Sequence, residues 1–222
     1  MEIICGTGSS LPPDLLDALS VYRYRVFIEA LGWELPAENG REQDQFDTPE
    51  TAYVIARDPE TGAIRGCARL LPSTGPYLLA DVFPQLLHGQ PAPRHPQVWE
   101  LSRFASMDCG APQSLAQPME LKVAEQILAG ALDYARRRDV RRFITVSPLG
   151  VERLLRRVGV HAHRAGPPVR YGTHALFACW IEVDHQSIEA MQVYAPDRSV
   201  VIDPAASPEP QLPGAALPAA AA

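Results

Sequence analysis

The sequence predicts a mixed α/β domain built around a central sheet. Three features carry that reading: helical periodicities alternate with short apolar runs, two of those runs flank a hairpin turn, and Val98-Trp99-Glu100-Leu101-Ser102-Arg103-Phe104 reads as a strand with neither face solvated. Pro12 and Pro13 open a helix that runs to about Leu31 and is stopped by Gly32. Its apolar stripe is Leu15, Leu19, Tyr22 and Val26, with Arg23 and Phe27 beside it. Residues 36–49 are polar and acidic without periodicity and read as a loop. Strands follow at Ala52–Arg57 and Ile64–Leu71, joined by the turn Asp58-Pro59-Glu60-Thr61-Gly62. Tyr77–Leu87 is apolar and short, helical or irregular, and leads into the strand from Val98. Pro118–Arg138 is a long helix with Leu121, Ala124, Leu128, Ala131 and Ala135 on one face. Then come a strand Arg141–Ser147, a helix Gly150–Val158, and strands Val160–Arg164 and Ala175–Asp184. From residue 197 to 222 the chain is Ala/Pro-rich and reads as a disordered tail, leaving 1–196 as one domain.

Composition narrows the function. A chain of 222 residues with 46% hydrophobic and 21% charged residues suits one soluble domain, and a net charge of −6 argues against nucleic acid. No apolar run reaches membrane-span length and no basic-then-apolar leader opens the chain, so the expected location is the cytoplasm, with no membrane partner. Cys5, Cys67, Cys109 and Cys179 are widely spaced, which disfavours a zinc site or a disulfide framework. His161 and His163 share a strand face without a third ligand nearby, so no metal site is expected.

The charges in apolar segments carry the chemistry. Under strand alternation Glu100 and Ser102 share a row with Val98 and Phe104, while Arg103 shares the other row with Trp99 and Leu101. A buried, unpaired ion costs several kcal/mol, so each charge needs a partner from elsewhere in the chain. Arg23 borders an apolar helix stripe, Arg69 sits between Cys67 and Leu71, and Glu42, Asp44 and Asp47 lie within six residues of loop. Acidic loops are usually solvated and strand arginines often reach a sheet edge. Taken together, these residues favour a shared polar cleft for a zwitterion, since carboxylates complement an ammonium and bidentate arginines a carboxylate. Phe27 and Trp33 add aromatic faces that suit a sulfonium or ammonium, or else clamp the helix end as core residues. If Glu100 and Arg103 line one cleft, the strand must twist or bulge near Ser102.

Arg23-x3-Phe27-x5-Trp33, then Glu42-x-Asp44-x2-Asp47, then Arg69, then Glu100-x-Ser102-Arg103-Phe104 resemble the signature set of the LuxI-type acyl-homoserine-lactone synthases, over about residues 5–185. The resemblance implies a GNAT-like fold and an acyltransferase that joins S-adenosylmethionine, as substrate and not cofactor, to an acyl chain on acyl carrier protein. Carried over by position, Arg23, Phe27, Trp33, Glu42, Asp44, Asp47, Arg69, Arg103 and Phe104 would hold adenosylmethionine, and Glu100 would be the general base, with Ser102 and Arg103 also catalytic. Phe143, Thr145, Ser147 and Leu149 would line the acyl tunnel. Arg136, Arg138, Arg142, Arg153, Arg156 and Arg157 offer a basic surface for an acidic carrier, although charge runs are more often simply solvated faces. His161–Pro168 is similar to the corresponding segment of synthases making unsubstituted, octanoyl-class signals. An ordinary GNAT N-acyltransferase using acyl-CoA and another amine is the alternative, but its Gln/Arg-x-x-Gly-x-Gly/Ala pyrophosphate loop is not found. A sensor of adenosylmethionine without chemistry is disfavoured by Glu100.

Overall fold

The computed structural model describes residues 1–110, 120–172, 174–196 and 198–202. Its framework is one twisted mixed sheet. In chain order the elements are β1 (Glu2–Thr7), α1 (Pro13–Arg23), a π-helical stretch (Tyr24–Ala30), β2 (Ala37–Glu38), β3 (Arg41–Glu42), β4 (Ala52–Arg57) and β5 (Ile64–Pro72). They continue with α2 (Leu78–Asp81), a 3-10 turn (Pro84–Leu87), β6 (Val98–Ser106), α3 (Leu121–Arg136), β7 (Arg142–Pro148) and α4 (Leu149–Arg157). The last are β8 (Ala162–Arg164), β9 (Val169–Tyr171), β10 (His174–Glu182), α5 (His185–Gln192) and β11 (Arg198–Ile202). Strand order is β11-β1-β4-β5-β6-β7-β10-β8, with β9 also on β10.

The two faces of the sheet divide the core. Ile3, Val54, Ala68, Leu70, Leu101 and Phe143 point to α3, which buries Val123, Ile127, Leu128 and Ala131 against them. Helix and sheet approach closely at Gly130, where a Cβ would lie 2.7 Å from Ile3 Cγ2. On the opposite face, α1 and the π-helical stretch after it pack Leu15, Leu19, Tyr22 and Val26 on Ile4, Tyr53, Ile55 and Cys67. Further along, Tyr77, Leu79 and Leu86 cover Leu71, Val98 and Ile144. The site lies on this second face, between the α1 cover and the α2 cover.

The sheet parts at its centre. β6 and β7 run parallel, but their pairing covers only Val98–Glu100 against Arg142–Ile144. Beyond Glu100 the two strands are no longer paired, leaving an opening between Leu101–Ser106 and Thr145–Pro148.

Several elements differ from the sequence reading. The N-terminal strand β1 has only a three-residue apolar run, Ile3–Cys5, and becomes a strand because β4 and β11 both pair with it. The tail read from residue 197 includes β11, which runs parallel to β1 with Arg198 beside Glu2 at 3.2 Å and Ile202 O accepting from Ser10 Oγ at 2.7 Å. The loop at 36–49 contains a small hairpin, β2–β3, turned by Asn39 (φ 50°) and Gly40 (φ 74°), the left-handed pair a two-residue turn requires. The short strand β9 has no counterpart in the sequence reading, and Pro118 lies outside the described residues. Pro13 opens α1, Gly62 takes φ 74° in the β4–β5 turn, and Gly32 takes φ 67° at the helix stop, as read.

Candidate active site

The strand that carries both charges is bulged. In the β5–β6 ladder Cys67 pairs with Ala105 and Arg69 with Ser102, so Arg103 and Phe104 together oppose Ala68. Arg103 takes φ 49°, left-handed for a residue with a side chain, a conformation that costs about 1–2 kcal/mol. Its carbonyl accepts a hydrogen bond from Cys67 Sγ at 3.2 Å. The extra residue resets the alternation. Arg103, which strict pleating places beside Leu101, turns to the face of Glu100 and Ser102, while Phe104 moves across to pack against the α3-side core.

Three arginines from three elements converge there on three carboxylates of one loop. Arg23, at the end of α1, donates through Nε to Glu42 at 2.5 Å and through Nη1 and Nη2 to Asp47 at 2.7 and 2.9 Å. Arg69, on β5, donates to Asp44 at 2.5 Å, approaches Asp47 at 3.2 Å, and places Nε 3.1 Å from Ser102 Oγ. Arg103 reaches Glu42 at 2.9 Å and Asp44 at 2.7 Å. The formal charges cancel. Arg23, Glu42, Arg69 and Arg103 are buried, so the ions hold one another in place of water, in the fork geometry guanidinium groups favour. Burial alone would raise the Glu42 carboxyl, but the hydrogen bonds and charges of Arg103 and Arg23 outweigh it and hold it below its usual range. Asp47 is likewise held low, burial being overcome by Arg23 and Arg69. Within the network one donor has no partner among the described residues: Arg69 Nη2, which is buried.

Glu100 finds a different kind of partner. It is fully buried, and its two oxygens accept the backbone N–H groups of Leu79 at 2.7 Å and Leu78 at 3.0 Å, the first amides of α2. A carboxylate from β6 thus caps a helix whose own N-cap residue, Tyr77, supplies no side-chain acceptor. Burial pushes its carboxyl up to about 7, against the opposing pull of those amides and of the Arg69 and Arg103 charges. An ionisable carboxyl so poised suits acid–base work near neutrality.

The aromatic residues complete the cleft. The π-helical stretch widens the end of the first helix at Phe27. The Phe27 ring stacks on Trp33 with centroids 5.1 Å apart, and the Arg103 guanidinium lies 5.6 Å from the Phe27 centroid. Trp33 remains 40% exposed, so one of its faces is open to a ligand.

The structure does not bring every sequence candidate together. Phe104 is carried away from the charge network by the bulge. Phe143 and the hydroxyls of Thr145 and Ser147, 3.1 Å apart, are buried on β7 beside the opening from β6, and Leu149 packs on the α3-side core. The arginines of the basic surface are largely engaged: Arg136 with Asp133, Arg142 with Glu182, Arg156 with Glu152, Arg157 with Glu125, and Arg138 over Tyr134 at 3.5 Å. Arg153 is exposed, and among the described residues no carboxylate pairs with it. Sequence reading missed Tyr53, whose hydroxyl donates to Asp47 at 2.9 Å, and Leu78 and Leu79, which act through backbone amides and leave no side-chain signal. Tyr53 was detectable as a phenol at an inward strand position, because a buried hydroxyl requires a partner.

Comparison with known proteins assigns the fold and the family. The family model described as autoinducer synthase matches residues 13–191. An acyl-homoserine-lactone synthase of Acinetobacter nosocomialis is 49% identical over 184 residues, covering 82% of this chain and all of that one. The crystal structure of TofI in a ternary complex with an inhibitor and MTA superposes with a TM-score of 0.75 at 45% identity, over 86% of this chain and 96% of that chain. An acyl-CoA N-acyltransferase from Pseudomonas aeruginosa shares the fold, with a TM-score of 0.54 at 17% identity over 81% of this chain and 99% of that chain. With a GNAT-like fold and a matching family model over most of its length, the chain belongs to the LuxI-type autoinducer synthases, the acyl-homoserine-lactone synthases.

Proposed function

We propose that this synthase acylates the α-amine of S-adenosylmethionine with a medium-chain, octanoyl-class acyl group delivered on acyl carrier protein, and then closes the lactone. The observation that carries the substrate assignment is the buried, unpartnered Nη2 of Arg69 within a network whose charges already cancel. The Arg69 charge is already paired, but leaving one of its buried N–H donors without an acceptor costs about 1–3 kcal/mol, and a substrate carboxylate would relieve it. Adenosylmethionine has such a carboxylate, and a sulfonium that suits the exposed face of Trp33. The TofI complex with MTA supports the reading, because methylthioadenosine is what adenosylmethionine leaves behind when the lactone closes.

In the first step Glu100 accepts the ammonium proton, directly or through water, and the freed amine attacks the thioester carbonyl. The C–N bond forms, the C–S bond breaks and the carrier thiol departs. Backbone amides freed from the ladder by the Arg103 bulge are candidates to stabilise the oxyanion. In the second step a carboxylate oxygen attacks the carbon bearing the sulfonium and expels neutral methylthioadenosine. Arg69 and the aromatic pair contribute by folding the substrate so that its ends meet. Thr145 and Ser147, beside the β6–β7 opening, would meet the acyl chain. Carrier docking is proposed at Arg153 and the neighbouring α3–α4 arginines, and a cytoplasmic location follows from that donor.

Two experiments test this. Incubation with adenosylmethionine and a panel of acyl-carrier and acyl-CoA thioesters should give lactone and methylthioadenosine by mass spectrometry, with octanoyl-carrier best; no product from any donor rejects the reading, and a preference for acyl-CoA rejects the carrier. Because Glu100 must be ionised to act as base and its carboxyl is raised to about 7, kcat/KM should climb with pH through about 7. A profile flat from pH 5.5 to 8.5 would remove Glu100 from that role.

A further inference from the structure

We infer that Tyr53 is a positioning residue for adenosylmethionine binding, acting through Asp47. Tyr53, Arg69 and Ser102 are register neighbours across β4, β5 and β6, so the phenol stands in the same row as the arginine with the free donor. Its hydroxyl donates to Asp47 Oδ1 at 2.9 Å, the oxygen that also meets Arg23 Nη1 at 2.7 Å and Arg69 Nη1 at 3.2 Å. Asp47 Oδ2 accepts from Arg23 Nη2 at 2.9 Å and from the Asp44 amide at 2.8 Å. Asp47 is therefore the node that sets Arg23 and Arg69 relative to each other.

That node is buried but borders open space on one side. A cavity of about 250 Å³ opens behind it, bounded by Leu19, Ser20, Arg23, Asp47, Thr48 and Tyr53. With room on that side, the carboxylate is held by hydrogen bonds, and of its three Oδ1 contacts the one to Arg69 is the longest. Burial and the adjacent Asp47 push the Tyr53 phenol well above its usual range, so it remains a donor at any working pH. Without the hydroxyl, Asp47 is free to tilt toward Arg23 and away from Arg69, turning Nη2 of Arg69 from the line it holds toward the substrate carboxylate.

The test is Tyr53→Phe, assayed for lactone with an octanoyl thioester. KM for adenosylmethionine should rise about 10-fold while kcat stays within about twofold, as expected for a lost hydrogen bond to a charged group that serves binding. KM for the thioester should not move. In an Asp47→Asn background the same change should have less than about a twofold effect, since the coupling runs through the carboxylate. Unchanged KM, or an equal rise in both backgrounds, overturns the inference. If Asp47→Asn does not fold, Tyr53→Phe alone decides: a lower Tm with KM unchanged means the hydroxyl serves only stability. The inference rests on the adenosylmethionine reading above, and the two fail differently: wild type without lactone rejects that reading, whereas an active wild type with an indifferent Tyr53→Phe rejects only this one.

Discussion

Glu100→Gln should lower turnover at least ~100-fold, because a glutamine cannot take the ammonium proton. The same substitution tests the second duty of this residue. Both carboxylate oxygens accept an amide N–H, at 2.7 and 3.0 Å, and glutamine offers one acceptor while turning its own NH2 toward the other donor. That mismatch costs about 1–3 kcal/mol, and a thermal melt would register it as a modest fall in Tm with the fold retained. Base and cap are thereby separable. If Glu100 only caps α2, Tm falls while turnover stays near wild type and keeps its pH dependence. If it is the base, turnover collapses and the limb near pH 7 disappears.

Arg23→Ala is the variant expected to destabilise most. Its guanidinium makes three hydrogen bonds to Glu42 and Asp47, all within a buried network, and its loss leaves two carboxylates with a single arginine partner apiece beyond Asp44's own pairs. Breaking a buried ion network by removing one member costs about 3–5 kcal/mol, which for a domain of this size is on the order of 10 °C in Tm. Affinity for adenosylmethionine should fall with it. Arg23→Lys keeps the charge but not the fork that spans two carboxylates, so it should restore part of the stability and little of the binding. Calorimetric melts with adenosylmethionine titrations would show both effects. An alanine variant as stable as wild type would mean that the network is not a structural unit.

What the sequence revealed and concealed follows from the kinds of interaction involved. Arg23, Arg69 and Arg103 were legible as a set with Glu42, Asp44 and Asp47 because charges in apolar segments demand partners, and the structure pairs them within that set. The partner of Glu100 was not legible: it is a pair of backbone amides at Leu78 and Leu79, and main-chain groups are the same at every residue. Alternation alone puts Glu100 and Arg103 on opposite faces, so a bulge near Ser102 was required if they were to share a cleft; it falls at Arg103 and Phe104, opposite Ala68. No glycine marks the left-handed position, which Arg103 itself occupies. Strict alternation misplaces Phe104 for the same reason. β1 and β11 escaped because their pairing joins residues nearly the whole chain apart, a contact that local propensity does not encode.

The most direct measurement is a crystal structure with adenosylmethionine bound. The substrate carboxylate should lie within hydrogen-bond distance of Arg69 Nη2, with the sulfonium against Trp33 and the α-amine turned toward Glu100. Adenosylmethionine bound elsewhere, with Nη2 of Arg69 still unpartnered, would contradict the account.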